Sequence, residues 1–145
     1  MRTITVLLAV AAAVASAKNL SLVELPPAVQ KTVQEQAKGA AIRSISKETE
    51  HGVVQYEVET MFNGKHRDFE VDTKGNLLVM EEETTLNAIP PAARAAIGKK
   101  VADGKLTLVE VMTKGGQTLY EASYTTRSGR KREVVVKPDG TETKD

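Results

Sequence analysis

Apolar residues recur at helical spacing near the start of each half of the chain. The pattern i, i+4, i+8 occurs twice, in Val29, Val33 and Ala37 and again in Ala93, Ile97 and Val101. This spacing puts the three side chains of each set on one helix face. A Pro-Pro pair precedes each stripe and suits a first helical turn, where a missing N–H loses no hydrogen bond. The sequence therefore predicts two amphipathic helices, with Gly39 and Gly104 as their terminators.

Alternating apolar and polar residues follow each predicted helix and indicate antiparallel strands. Asn63-Gly64 favours a two-residue type I′ turn, and counting outward from it puts Val58 opposite Phe69, so that apolar faces apolar. The same counting predicts the pairs Tyr56–Val71, Ile45–Val58, Val109–Ala122, Tyr120–Val136 and Ala122–Val134. A three-residue loop, Arg127-Ser128-Gly129, is predicted for the last hairpin, with Gly129 left-handed. Each helix is thus expected to precede a three-stranded meander, and a short fourth strand, Asn76 to Glu83, extends the first.

The two halves share their landmarks at one offset. Leu25-Pro26-Pro27-Ala28 returns 64 residues later as Ile89-Pro90-Pro91-Ala92, and Tyr56-Glu57 returns at the same offset as Tyr120-Glu121. We therefore expect an α+β protein made of two tandem copies of a helix followed by an antiparallel β-meander, with the helices packed on one sheet face. The copies are expected to span residues 18–85 and 86–145.

The pattern resembles the PepSY-like family, also called β-lactamase-inhibitor-like. The resemblance covers residues 18–145 and rests on Leu25-Pro26-Pro27, 54–58, 69–78, Ile89-Pro90-Pro91, Leu119-Tyr120-Glu121 and 134–140. It implies an exported or periplasmic protein with tandem repeats and a binding or inhibitory role. It brings no catalytic residues with it.

The N-terminal residues predict export. Arg2 precedes an apolar run from Ile4 to Val14, and Ala15-Ser16-Ala17 fits the small-x-small cleavage rule. The apolar run is shorter than the roughly 20 residues that a membrane-spanning helix needs. Residues 1–17 are therefore predicted to be a signal peptide, leaving a periplasmic or secreted product with no membrane span.

The composition offers little catalytic chemistry. The chain has no cysteine, no Gly-x-Ser-x-Gly motif, and two histidines, His51 and His66, neither of which is placed for a metal pair. Basic and acidic residues balance over 18–145 and aromatic residues are few, which does not favour nucleic-acid binding. We expect no enzyme activity and no cofactor.

Charge is the one feature that indicates a site. The predicted register sets Glu57 opposite Glu70 and Glu59 opposite Asp68, on the face away from the helix, although like charges directly opposed destabilise a sheet. Residues 18–88 carry a net charge of −4 and residues 89–145 a net charge of +4, the latter concentrated in Arg127, Arg130, Lys131 and Arg132. The acidic set is either a solvated strand face or a patch that binds a cation or a basic partner.

These features lead to two functional hypotheses. The first is a non-enzymatic binding module, inhibitor-like or engaged with an envelope protein or peptide. The second is a periplasmic sensor or buffer of cations or small ligands that uses the acidic face. Glu57, Glu59, Asp68, Glu70, Arg130 and Arg132 are the candidate partner-binding residues.

Overall fold

A computed structural model describes residues 18–143, so the predicted signal peptide lies outside the described part of the chain. The α-helices and strands in chain order are α1 (Pro27–Gln36), β1 (Ala41–Glu50), β2 (Val53–Phe62), β3 (Lys65–Asp72), β4 (Leu77–Glu83), α2 (Pro91–Val101), β5 (Lys105–Lys114), β6 (Gln117–Thr125), β7 (Lys131–Val136) and β8 (Glu142–Thr143). A short 3₁₀ helix precedes each α-helix, at Leu22–Glu24 and Leu86–Ala88. None of the helices in residues 18–143 is long and apolar enough to cross a membrane.

The strands form one antiparallel sheet in the order β1 to β8, and both helices pack on the same face of it. The apolar face of α1 is buried against β1, β2 and β3, in one cluster with Val58 and Phe69. The stripe on α2 packs in the same way on β5, β6 and β7, against Ala122 and Val134. The predicted α+β class, with helices on one sheet face, is confirmed.

The predicted hairpin registers are confirmed. The pairs Ile45–Val58, Tyr56–Val71, Val58–Phe69, Val109–Ala122, Tyr120–Val136 and Ala122–Val134 all occur. Asn63 and Gly64 have φ of 51° and 77°, as a type I′ turn requires. Gly129 is left-handed at φ 82°, and the N–H of Thr126 donates to the carbonyl of Arg130 to close the three-residue loop.

Two sequence expectations need correction. The second meander also ends in a fourth strand, β8, which pairs with β7 and whose Glu142 carboxylate accepts a hydrogen bond from Lys100 of α2 at 2.7 Å. Gly104 is not the left-handed terminator of α2, since Ala102 takes positive φ instead. Gly104 is needed for a different reason: a Cβ there would lie 2.6 Å from the carbonyl oxygen of Thr125.

Two glycines set how closely each helix approaches the sheet. Gly75, in the β3–β4 turn, lies so close to α1 that an added Cβ would be 2.6 Å from the carbonyl oxygen of Ala28. Gly140, in the β7–β8 turn, lies equally close to α2, since an added Cβ would be 2.7 Å from the carbonyl oxygen of Ala92. Each turn therefore fixes the N-terminal end of the helix that precedes it.

Gly75→Ala is expected to destabilise the protein far more than Gly64→Ala. Both glycines are left-handed, which adds about 1–2 kcal/mol for any side chain. Only at Gly75 would the added Cβ also clash with backbone atoms of Ala28. Overpacking of this kind costs about 1–3 kcal/mol more. Urea unfolding of both variants measures the difference. Equal losses would mean that the contact with Ala28 does not position α1.

Candidate functional site

The candidate site lies on the sheet face opposite the helices. Glu57 is directly opposite Glu70, as predicted, and the same β2–β3 register spans Glu59 and Asp68. Their alternation with Val58 and Phe69, which face α1, puts these carboxylates on the uncovered face. Glu59 is exposed, whereas Glu57, Asp68 and Glu70 are half-buried.

This uncovered face contains a groove of about 190 Å³, called here the acidic groove. Six glutamates, one lysine and two apolar residues line it: Glu50, Glu57, Glu70, Val79, Glu81, Met112, Lys114, Glu121 and Glu133. They come from all of the strands β1 to β7, which in a flat sheet would span about 29 Å at ~4.8 Å per strand. One small groove touches seven strands only if the uncovered face is concave.

The floor of the concave face is apolar. Val79, Met112, Leu119 and Val135 form a buried cluster there, each with 8% of its surface exposed or less, although neither α1 nor α2 packs on that face. The cluster joins β4 of the first half to β5, β6 and β7 of the second. The groove therefore combines an apolar floor with walls of carboxylate.

Burial and mutual repulsion keep protons on several of these carboxylates. Burial raises the pKa of Glu57 to about 8, and the charges of Glu48, Glu59 and Glu70 add to it. Burial likewise raises the pKa of Glu81 to about 9, with further contributions from Glu121, Glu110, Glu70 and Asp68. The pKa of Asp68 is raised by burial as well.

Polar neighbours hold the predicted carboxylates in place. The hydroxyl of Ser44 donates to Glu59 at 2.7 Å, and the N–H of Thr60 donates to Asp68 at 2.8 Å. The buried amide of Gln55 donates to both Glu50 and Glu70 at 3.1 Å. The acidic face is therefore ordered by specific hydrogen bonds.

The structure does not bring the predicted basic residues to this site. Arg132 pairs with Tyr124, which packs against the α2 cluster, so Arg132 shares the helix face rather than the acidic one. Arg130 is exposed in the β6–β7 loop. The cation inside the acidic groove is Lys114, which sequence reasoning missed.

Sequence reasoning also missed Glu81, Glu110, Glu121 and Glu133. The Asp72–Asn76 turn alone would set Asp68 opposite Met80, and a β-bulge between Glu70 and Val71 shifts the register so that Glu81 lies opposite Asp68 instead. The sequence allows Glu110 to be aligned with Glu121 across the β5–β6 hairpin. Whether these two glutamates lie beside the carboxylates of the first half depends on the pairing of β4 with β5. No local signal in the sequence predicts that pairing.

Despite the number of carboxylates, no three metal-ligating side chains in the described residues come together in a group that could hold a metal ion. The histidines do not change this, since His51 lies exposed in a turn and His66 is 3.9 Å from the Asp68 carboxylate. The described residues therefore contain no preassembled metal site.

Comparison with known proteins supports the fold. A candidate periplasmic protein from Bacteroides eggerthii matches with a TM-score of 0.64 and 17% identity, over 83% of this chain and 86% of that one. A DUF2874 family protein from Bacteroides ovatus matches with a TM-score of 0.60 and 16% identity, over 83% and 85%. A BLIP-like protein from Bacteroides fragilis matches with a TM-score of 0.56 and 19% identity, over 83% and 84%.

At these identities the likeness concerns the fold alone, which is BLIP-like. No family model matches the sequence, and no curated protein matches it.

Proposed function

We propose that this chain is an exported, non-enzymatic binding module whose acidic groove engages a basic segment of an envelope protein or peptide. The predicted signal peptide and the periplasmic assignment of a structural neighbour support export. The BLIP-like neighbour supports a binding or inhibitor-like role. Two PepSY-like repeats, 18–85 and 86–145, are part of the same proposal.

The observation that carries the proposal is the concave acidic groove itself. Six glutamates and one lysine line it, and burial together with the neighbouring carboxylates raises the pKa of Glu57 to about 8 and of Glu81 to about 9. Half-buried carboxylates that face each other across a sheet destabilise it, so a basic partner in the groove would relieve that cost. A cationic side chain placed in the groove would favour the ionised carboxylates and pair with them, and the apolar floor would contribute buried area.

Replacing both opposed carboxylates, Glu57→Gln with Glu70→Gln, is expected to weaken partner binding by at least about tenfold, because each removes an ionic contact to a basic partner. The matched control is Glu35→Gln with Glu82→Gln. It removes two charges that lie on α1 and on the helix face of β4. Binding is measured by cross-linking residues 18–145 in envelope extract, with saturation and salt dependence recorded.

A partner that is captured equally by both double variants, or only without saturation, would contradict the proposal. A saturable partner that is retained by the control and lost with the groove variant would establish the acidic groove as its binding surface.

A further inference from the structure

Glu110 is a buried glutamate, one of whose carboxyl oxygens has no hydrogen-bond partner. It lies at the middle of β5 with 4% of its surface exposed, and its Oε1 atom makes no hydrogen bond. The sheet register sets it directly opposite Glu83 on β4 and Glu121 on β6. Glu121 lines the acidic groove, so Glu110 adjoins that groove on the same face.

The groups that face Glu110 are mostly acidic. They are His66 and Asp68 on β3, Glu83 on β4, Glu121 on β6 and Glu133 on β7. Of these, only His66 favours the charged form of Glu110. His66 is exposed, and its backbone N–H donates to Glu83 at 2.9 Å. An acceptor buried in such surroundings costs stability until a donor reaches it.

We propose that Glu110 marks a subsite that takes one arginine side chain of the partner, an inference that rests on the function proposed above. A metal ion needs several oxygens converging at about 2.0–2.6 Å, and the described residues contain no such group. A guanidinium is planar, weakly hydrated and carries five donors. It is wide enough to contact carboxylates on adjacent strands, which are about 4.8 Å apart.

Proton release accompanies binding at this subsite. Burial raises the pKa of Glu110 to about 7, so part of the population is protonated at neutral pH. A guanidinium has no acceptor for the carboxyl proton and forms its charge-assisted pair with the carboxylate form. Arginine binding therefore strengthens as pH rises from 6 to 8.

The test uses residues 18–145 and an acetylated, amidated hexapeptide of alternating alanine and arginine, which in extended form presents its arginines on one side. The lysine peptide and the uncharged citrulline peptide are measured beside it, and so is calcium chloride alone. Calorimetry at pH 6 and pH 8 gives affinity and proton release. The variants are Glu110→Gln and, as control, Glu82→Gln on the other face of the sheet.

The wild-type protein and Glu82→Gln are expected to bind the arginine peptide alike and more tightly at pH 8. Glu110→Gln is expected to bind at least about tenfold more weakly, with less proton release, since an ionic hydrogen bond is lost. Glu110→Asp, which keeps the charge, is expected to retain part of the affinity and gives the answer if the Gln variant does not fold.

Unchanged affinity in Glu110→Gln, equal binding of the citrulline peptide or a preference for lysine would overturn the arginine subsite. The acidic groove would still stand as a binding surface if wild type binds the basic peptides. Failure of the wild-type protein to bind either basic peptide would instead overturn the proposal of a basic partner. Stoichiometric calcium binding lost in Glu110→Gln would assign Glu110 to a metal and overturn the subsite.

Discussion

A fragment of residues 18–85 is expected to be largely unfolded or aggregated. In the whole chain, β4 pairs with β5 from Val79–Lys114 to Glu83–Glu110, and the fragment leaves that edge unpaired. It also exposes Val79, whose cluster partners Met112, Leu119 and Val135 lie in the second half. A unit of about 60 residues buries too little surface to compensate without cross-links, and this chain has no cysteine.

The measurement is a ¹H–¹⁵N spectrum and a thermal melt of fragment 18–85, of fragment 86–145 and of their mixture. Mixing is expected to restore dispersed signals, because the β4 and β5 edges can pair again. A dispersed spectrum and a sharp melting transition from 18–85 alone would show that the halves are independent domains. In that case the proposal that the halves fold as one cooperative unit would be wrong.

Stability is expected to fall as pH rises from 5 to 9. Glu57, Glu81 and Glu110 have pKa values of about 8, 9 and 7 in the folded protein, against an ordinary value of 4.5. The folded state therefore binds more protons than the unfolded state across this window. The contribution of these groups is complete below about pH 4.5 and is lost as pH rises through their folded pKa values. Each pKa unit corresponds to about 1.4 kcal/mol, and solvent screening of the half-buried Glu57 and Glu81 lowers the total, so we expect a loss of several kcal/mol by pH 9, measured by urea unfolding.

Glu81→Gln isolates the largest of these effects. The glutamine keeps the shape of Glu81 but cannot ionise, so the variant should be more stable than wild type at pH 9 and have a flatter pH profile. Glu82→Gln is the matched control, since its exposed side chain lies on the other face of β4 and pairs with Arg67 at 3.2 Å. If both variants keep the wild-type profile, Glu81 is not the group that titrates.

Local chemistry determined the helices and the hairpins of this protein. Asn63-Gly64 and Arg127-Ser128-Gly129 demand particular backbone angles, and a register error of one residue would turn every apolar side chain to the wrong face. The pairing of Glu57 with Glu70 follows from that register, so half of the acidic face could be predicted. Turn geometry and alternation act over a few residues, and both are visible in the sequence.

Only the tertiary structure decided which edges of the two half-sheets meet. Because the groove contains residues of both halves, the same pairing decided where the site forms. Pairing of β4 with β5 links residues about 30 positions apart through a helix, and it has no turn signal of its own. That pairing aligns Glu110 with Glu83, and the curvature of the joined sheet buries Glu110 and creates the acidic groove. The same geometry puts Arg132 on the helix face, away from the carboxylates. Edge pairing and curvature depend on contacts summed over the whole sheet, so a reading of local patterns cannot supply them.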